Sequence, residues 1–164
     1  MTADGTRATD APPITLVIGY GNTLRRDDGA GPSIATSLDE HLPADSGVQV
    51  LVAHQLMPEL APRLSEAQRA IFIDAFEAAP DDETIRETVL TPRAGTDPFN
   101  PHVSDPASLL WLAESLYGRA PAARLIAVPG SDFAFGEGCS DATARACASA
   151  LERLRQLLLP QPRE

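Results

Sequence analysis

Short apolar runs that alternate with segments of helical spacing constrain this chain more than any other feature of its sequence. Residues 14–18 (ITLVI) form a continuous apolar stretch that ends in Gly19-Tyr20-Gly21-Asn22, the pattern of a buried strand entering a tight loop. Residues 48–53, 70–76 (AIFIDAF) and 125–128 (LIAV) repeat it, and residues 84–90, after an acidic turn at 80–83, read as an edge strand. Between these runs the spacing predicts helices over about 28–42, 58–67, 107–117 and 141–159. The second contains prolines suited to an early helical turn. The third opens on Ser104 or Asp105 as N-cap with Pro106 behind it, buries a face of Leu109, Leu112, Ala113 and Leu116, and stops at Gly118. The fourth follows Ser140 as N-cap and lines up Ala146, Ala150, Leu154 and Leu157. Strands and helices in this alternation predict an α/β fold: a three-layer sandwich with a mostly parallel, twisted, five-stranded sheet and helices on both faces. At 164 residues the length suits one domain, over residues 14–160, behind a flexible tail at 1–13.

Charge and cysteine content remove several function classes. With 23 acidic residues against 13 Lys and Arg, the net charge of −10 opposes binding to nucleic acid and to anionic membrane surfaces. The opening MTADGTRATDAPP has no apolar signal region, and no apolar run is long enough to span a bilayer, so the expected location is the cytoplasm. Cys139 and Cys147 stand eight apart across what reads as one helix, a spacing that points their side chains in different directions, too far apart to bridge.

In an open α/β sheet, ligands bind beyond the carboxyl ends of the strands, so the residues just after each apolar run matter most. Those are Asn22 and Asp27-Asp28 after the first run, His54-Gln55 after the second, Asp74 within the end of the third, and His102 in the long proline-rich segment 91–106. A dinucleotide site fails because position 24, where a third glycine is needed, holds Leu24, and because two carboxylates at the helix start repel a pyrophosphate. No Walker A or HExxH pattern is present. Two carboxylates and one imidazole can bind a borderline divalent ion such as nickel or zinc and leave positions open for substrate. Asp27 and Asp28 also fit a plainer role as a helix cap and a first-turn acid, and His102 alone reads as a loop histidine. Asp74 resists a plain reading, because a carboxylate at the end of so apolar a strand needs a partner cation or donors. His54 fits a supporting or substrate-contact role, and Cys139 lacks an evident base for nucleophilic work.

At these residues the chain resembles a known family. GYGNTLRRDDGAG (19–31) looks like the glycine, asparagine and double-acid signature of the hydrogenase maturation proteases, which trim nickel-containing hydrogenase large subunits. FIDA (72–75) is similar to that family's strand-end aspartate and PHVSDP (101–106) to its histidine before a helix. HQLMPELA (54–61), the LYG ending at Gly118 and PGSDFAFGEGCS (129–140) look most like the branch that serves bidirectional, NAD(P)-linked hydrogenases. Other branches carry a glycine- and threonine-rich segment at 54–55 and can have Glu at position 28, which bears on substrate identity more than on reaction type.

The resemblance implies a monomeric aspartyl-type endopeptidase that cuts a C-terminal extension from the nickel-loaded hydrogenase large-subunit precursor. Asp28, Asp74 and His102 are then both the catalytic and the metal-recognising residues, and the nickel is largely carried by the substrate. Asp27 keeps the helix-capping role. A non-catalytic nickel-binding maturation chaperone using the same three ligands is the alternative, and a hydrolase built on Cys139 a third reading.

Overall fold

The structure, a computed structural model, describes residues 14–94 and 105–159. Residues 1–13, where the sequence places a tail, lie outside them. The strands are β1 (Thr15–Tyr20), β2 (Val48–Ala53), β3 (Arg69–Glu77), β4 (Arg86–Leu90) and β5 (Ala122–Gly130). They form one sheet in the order β2-β1-β3-β5-β4, in which β1, β2, β3 and β5 run parallel and β4 pairs antiparallel at the edge, as its sequence suggests. β5 exceeds its apolar core at both ends, because Ala122 pairs with Arg69 and Gly130 with Glu77 along the full length of β3. Backbone pairing, which apolar patterning does not report, sets those limits.

Helices cover both faces: α1 (Ala30–His41), α2 (Ala61–Glu66), α3 (Pro106–Tyr117) and α4 (Asp141–Leu158). On one face Val17, Ile71, Ile73 and Ile126 pack against Ile34 and Leu38 of α1 and Ala146, Ala150 and Leu154 of α4. On the other, Leu16, Ile18 and Phe72 pack against Leu64 of α2 and Leu109 and Leu110 of α3. The result is the expected three-layer α/β sandwich. Among the described residues no helix is long and apolar enough to cross a membrane.

Two differences in the helices have clear causes. α1 starts at Ala30, preceded by a 3-10 turn at Arg26–Gly29, rather than at Asp28. Pro32 lacks the N–H that an α-turn would direct to the Asp28 carbonyl, so the regular helix begins later and keeps Pro32 in its first turn. In α3 the buried face is Pro106, Leu109, Leu110 and Ala113, whereas Leu116 is exposed. Asp105 is the N-cap, accepting from Ser108 N at 3.0 Å and Ser108 Oγ at 2.9 Å, and Gly118 closes the helix in the left-handed region.

Glycines bring α1 down onto the strand ends. A side chain at Gly19 would overlap the Gly31 carbonyl and Ala35, and one at Gly31 would overlap the carbonyls of Ile73 and Tyr20. Helix and sheet therefore meet backbone to backbone, which holds the turn before α1 against the carboxyl ends of β1 and β3.

Candidate active site

The turn between β1 and α1 is stitched by its own polar groups. Asn22 Oδ1 accepts from Leu24 N at 2.9 Å, Arg25 N donates to the Asn22 carbonyl at 3.0 Å, and Asp28 N donates to the Arg25 carbonyl at 3.0 Å. The loop closes where Asp28 Oδ2 accepts from Asn22 N at 2.8 Å. This contact makes Asn22 and Asp28 one unit, and it fixes the half-buried Asp28 carboxylate by one of its oxygens. Arg26 is the non-glycine residue with positive φ among those described, at 43°, a left-handed conformation costing about 1 kcal/mol or more that the surrounding bonds must sustain.

Those bonds come from the loop after β5. Arg26 N donates to the Gly136 carbonyl at 3.1 Å, Gly136 N to the Leu24 carbonyl at 2.9 Å, and Asp27 N to the Asp132 carbonyl at 3.0 Å. Asp27 joins the two loops from inside. Its side chain has no exposed area, and its carboxylate accepts from Ser131 N, Asp132 N and Ser140 Oγ at 2.9 Å and from Ser140 N at 2.7 Å. Burial pushes its pKa up, but these donors outweigh burial and hold it below the ordinary aspartate value. The expected capping role is thus corrected: Asp27 caps nothing on α1, and instead binds the start of α4 and the loop before it. Ser140 occupies the N-cap position of α4, yet its hydroxyl turns to Asp27 and Thr143 rather than to the helix backbone. Gly130 is required beside it, because a Cβ there would stand 2.9 Å from the Asp27 Cβ.

Asp74 belongs to the end of β3, one step beyond the Gly19–Ile73 pair of the β1–β3 register, and so lies alongside Tyr20. Ala75 N donates to Asp74 Oδ1 at 2.7 Å. Burial raises the Asp74 pKa most, the Tyr20 hydroxyl and the Ala75 amide lower it, and the Asp28 charge raises it again, for a net upward shift. Burial and the Asp74 charge drive the Tyr20 phenol upward too, with a smaller push from Asp105. The Asp28 charge thus reaches Asp74, which stands beside Tyr20 at the carboxyl edge of the sheet. Tyr20 was not among the residues that sequence reasoning selected. In the sequence it stands inside the glycine pair that marks the end of the first strand.

His102 lies outside the described residues, as does the rest of 95–104. Among the described residues no three His, Cys, Asp or Glu side chains come together as a metal site. His54 is exposed at the end of β2. The cysteine expectation is corrected in part: Cys139 precedes α4 rather than lying on it, and only Cys147 is on the helix. Hydrogen bonding to Cys147 lowers the Cys139 pKa against the effect of burial, while Cys147 is pushed up. Both remain free thiols.

Neither a protein-family model nor a curated protein sequence matches the chain. Solved structures do. The [NiFe] hydrogenase maturation protease HybD from Thermococcus kodakarensis superposes with a TM-score of 0.68 at 21% identity, over 88% of this chain and 99% of that one. The hydrogenase maturating endopeptidase HybD from E. coli gives 0.68 at 22%, over 88% and 91%. The maturation protease HycI from Thermococcus kodakarensis KOD1 gives 0.67 at 18%, over 90% and 93%. The chain has the fold of the hydrogenase maturation proteases.

Proposed function

We propose that this protein is an endopeptidase that removes a C-terminal extension from the nickel-loaded large-subunit precursor of a nickel-iron hydrogenase, and that Asp28, Asp74 and His102 recognise the metal. The observation that carries the reading is the placement of Asp28, in the turn after β1, and Asp74, at the end of the neighbouring β3, on the same carboxyl edge of the sheet, in a fold shared with proteins named as hydrogenase maturation proteases. Nickel belongs to the substrate in this account. A borderline divalent ion accepts carboxylate and imidazole donors, so two aspartates and one histidine suit it and leave coordination positions for the precursor.

Each carboxylate is prepared differently. The Asn22 amide fixes one oxygen of Asp28 and with it the direction of the other. Ala75 N fixes one oxygen of Asp74, and burial makes that carboxylate a stronger base than an exposed aspartate. Metal bound to the substrate supplies Lewis-acid chemistry at the scissile carbonyl. A carboxylate of the pair accepts the proton of the attacking water, and recognition of the loaded precursor in preference to the empty one provides the checkpoint. The protein acts in this reading as a cytoplasmic monomer.

Its test is the variant set Asp28→Ala, Asp74→Ala and His102→Ala, each checked for folding by circular dichroism and for processing of the precursor. Each variant is expected to fold and to lose processing. Normal processing by all three would end the assignment. A precursor that is bound but never shortened, even by the unaltered protein, would instead identify a nickel-binding chaperone.

A further inference from the structure

The two edges of the sheet differ. β4 is guarded by charge, since Arg86 and Glu87 stand on it and Glu87 pairs with Arg124 and Arg153. β2, the other edge, reads VQVLVA, with no charge, no proline and an unbroken register with β1. Exposed edges of that kind recruit further strands, and proteins ordinarily block them with charges, prolines or bulges. The ladder shows which groups are open. Thr15 N donates to the Gly47 carbonyl at 3.0 Å and Gly21 N to the Ala53 carbonyl at 3.1 Å, so the odd-numbered residues of this stretch bond to β1. The N–H and C=O groups of Val50 and Val52 therefore point away from the sheet, and among the described residues none bonds to them.

We infer that the free edge of β2 takes up the C-terminal extension of the precursor as an added antiparallel strand and so delivers the scissile bond to the carboxylates. The inference rests on the proposed function, which supplies the polypeptide and the end of it that is removed. A row of unpaired backbone groups selects extended polypeptide, because a strand matches donors and acceptors at that spacing. Position links the edge to the site: Ala53, the last residue of β2, is bonded to Gly21, at the start of the turn that carries Asp28. Direction follows from the cut. The body of the precursor, with its metal, stays at the carboxyl edge beside Asp28 and Asp74, so the extension beyond the cut runs from Ala53 back toward Val48, against the direction of β2. An added strand lies about 10 Å from β1, two strand spacings, which about three extended residues cross. The scissile bond should therefore precede the first paired residue by about three positions. On the α1 side, a groove of about 420 Å³ beside the half-exposed Val52 is lined also by Pro32 and Thr36, and it takes alternate side chains of the added strand.

Hydrogen exchange of the full-length protein, read by mass spectrometry at residues 48–53 with and without the nickel-loaded precursor, tests the pairing. The amides of Val50 and Val52 should exchange about tenfold more slowly in the complex, and a precursor lacking the extension should give no such protection. Unchanged exchange at 48–53 in the complex would overturn the inference, as would equal protection by the shortened precursor. Steady-state processing and surface plasmon resonance add a second readout. Val52→Pro removes one outward N–H and leaves the bonds to β1 in place, so KM and Kd should rise about tenfold, whereas Val52→Ala, which keeps the N–H, should change them less than about threefold. Equal values for the two variants would count against the pairing. Single prolines placed along the extension should raise KM at every second position, because only alternate amides face β2, and a uniform effect would contradict an added strand. If the unaltered protein gains protection at β2 with the precursor yet never shortens it, the protease reading fails and the strand pairing stands.

Discussion

Replacing Asp27 tests the most closely determined part of the structure. In Asp27→Ala the amide hydrogens of Ser131, Asp132 and Ser140 lose their acceptor together with the Ser140 hydroxyl. An orphaned buried donor costs about 1–3 kcal/mol, and because these four bonds are only part-buried the lower figure applies to each. The sum is about 3–5 kcal/mol, or a fall in melting temperature of about 6–20 °C for a chain of this length. Thermal and urea unfolding followed by circular dichroism measures it. The pH dependence has a fixed sign. Because folding lowers the Asp27 pKa, its stabilisation is complete above the ordinary value of 3.8 and is lost as the pH falls through the depressed folded value. The gap between the unaltered protein and the variant should therefore be widest near neutrality and shrink below about pH 4. A loss under about 1 kcal/mol, or a gap that does not narrow in acid, would refute this account of the two-loop junction.

Further outcomes follow from the same structure. Gly31→Ala drives a methyl group into the carbonyls of Ile73 and Tyr20 and should cost about 3 kcal/mol or more, whereas Gly118→Ala, strained in backbone but open in space, should cost about 1 kcal/mol; equal unfolding midpoints for the two would contradict the close packing of α1. Tyr20→Phe removes the hydroxyl that lowers the Asp74 pKa, so that pKa should rise further in a carboxyl NMR titration, and a fall would show that the hydroxyl does not support the charged form.

The sheet was legible in the sequence because its core strands are apolar runs bounded by turns, and α4 because Ala146, Ala150 and Leu154 recur on one face. Asp28 and Asp74 could be selected from their places just after such runs. What stayed hidden depends on contacts between distant residues. Asp27 meets partners 104 to 113 positions away, so its local context, an acid before a helix, suggested a cap that the structure assigns elsewhere. Tyr20 was passed over in the turn after the first apolar run, because only the strand register brings Asp74 beside it. Cys139 falls outside α4 because the helix starts only at Asp141, after the Ser140 N-cap, so helical spacing does not relate it to Cys147.

The proposal that this chain is a nickel-gated endopeptidase is tested most directly by intact mass spectrometry of the hydrogenase large-subunit precursor after incubation with the protein, once nickel-loaded and once nickel-free. The account predicts loss of a C-terminal peptide from the loaded form alone. An unchanged mass in both, or equal shortening of both, would contradict it.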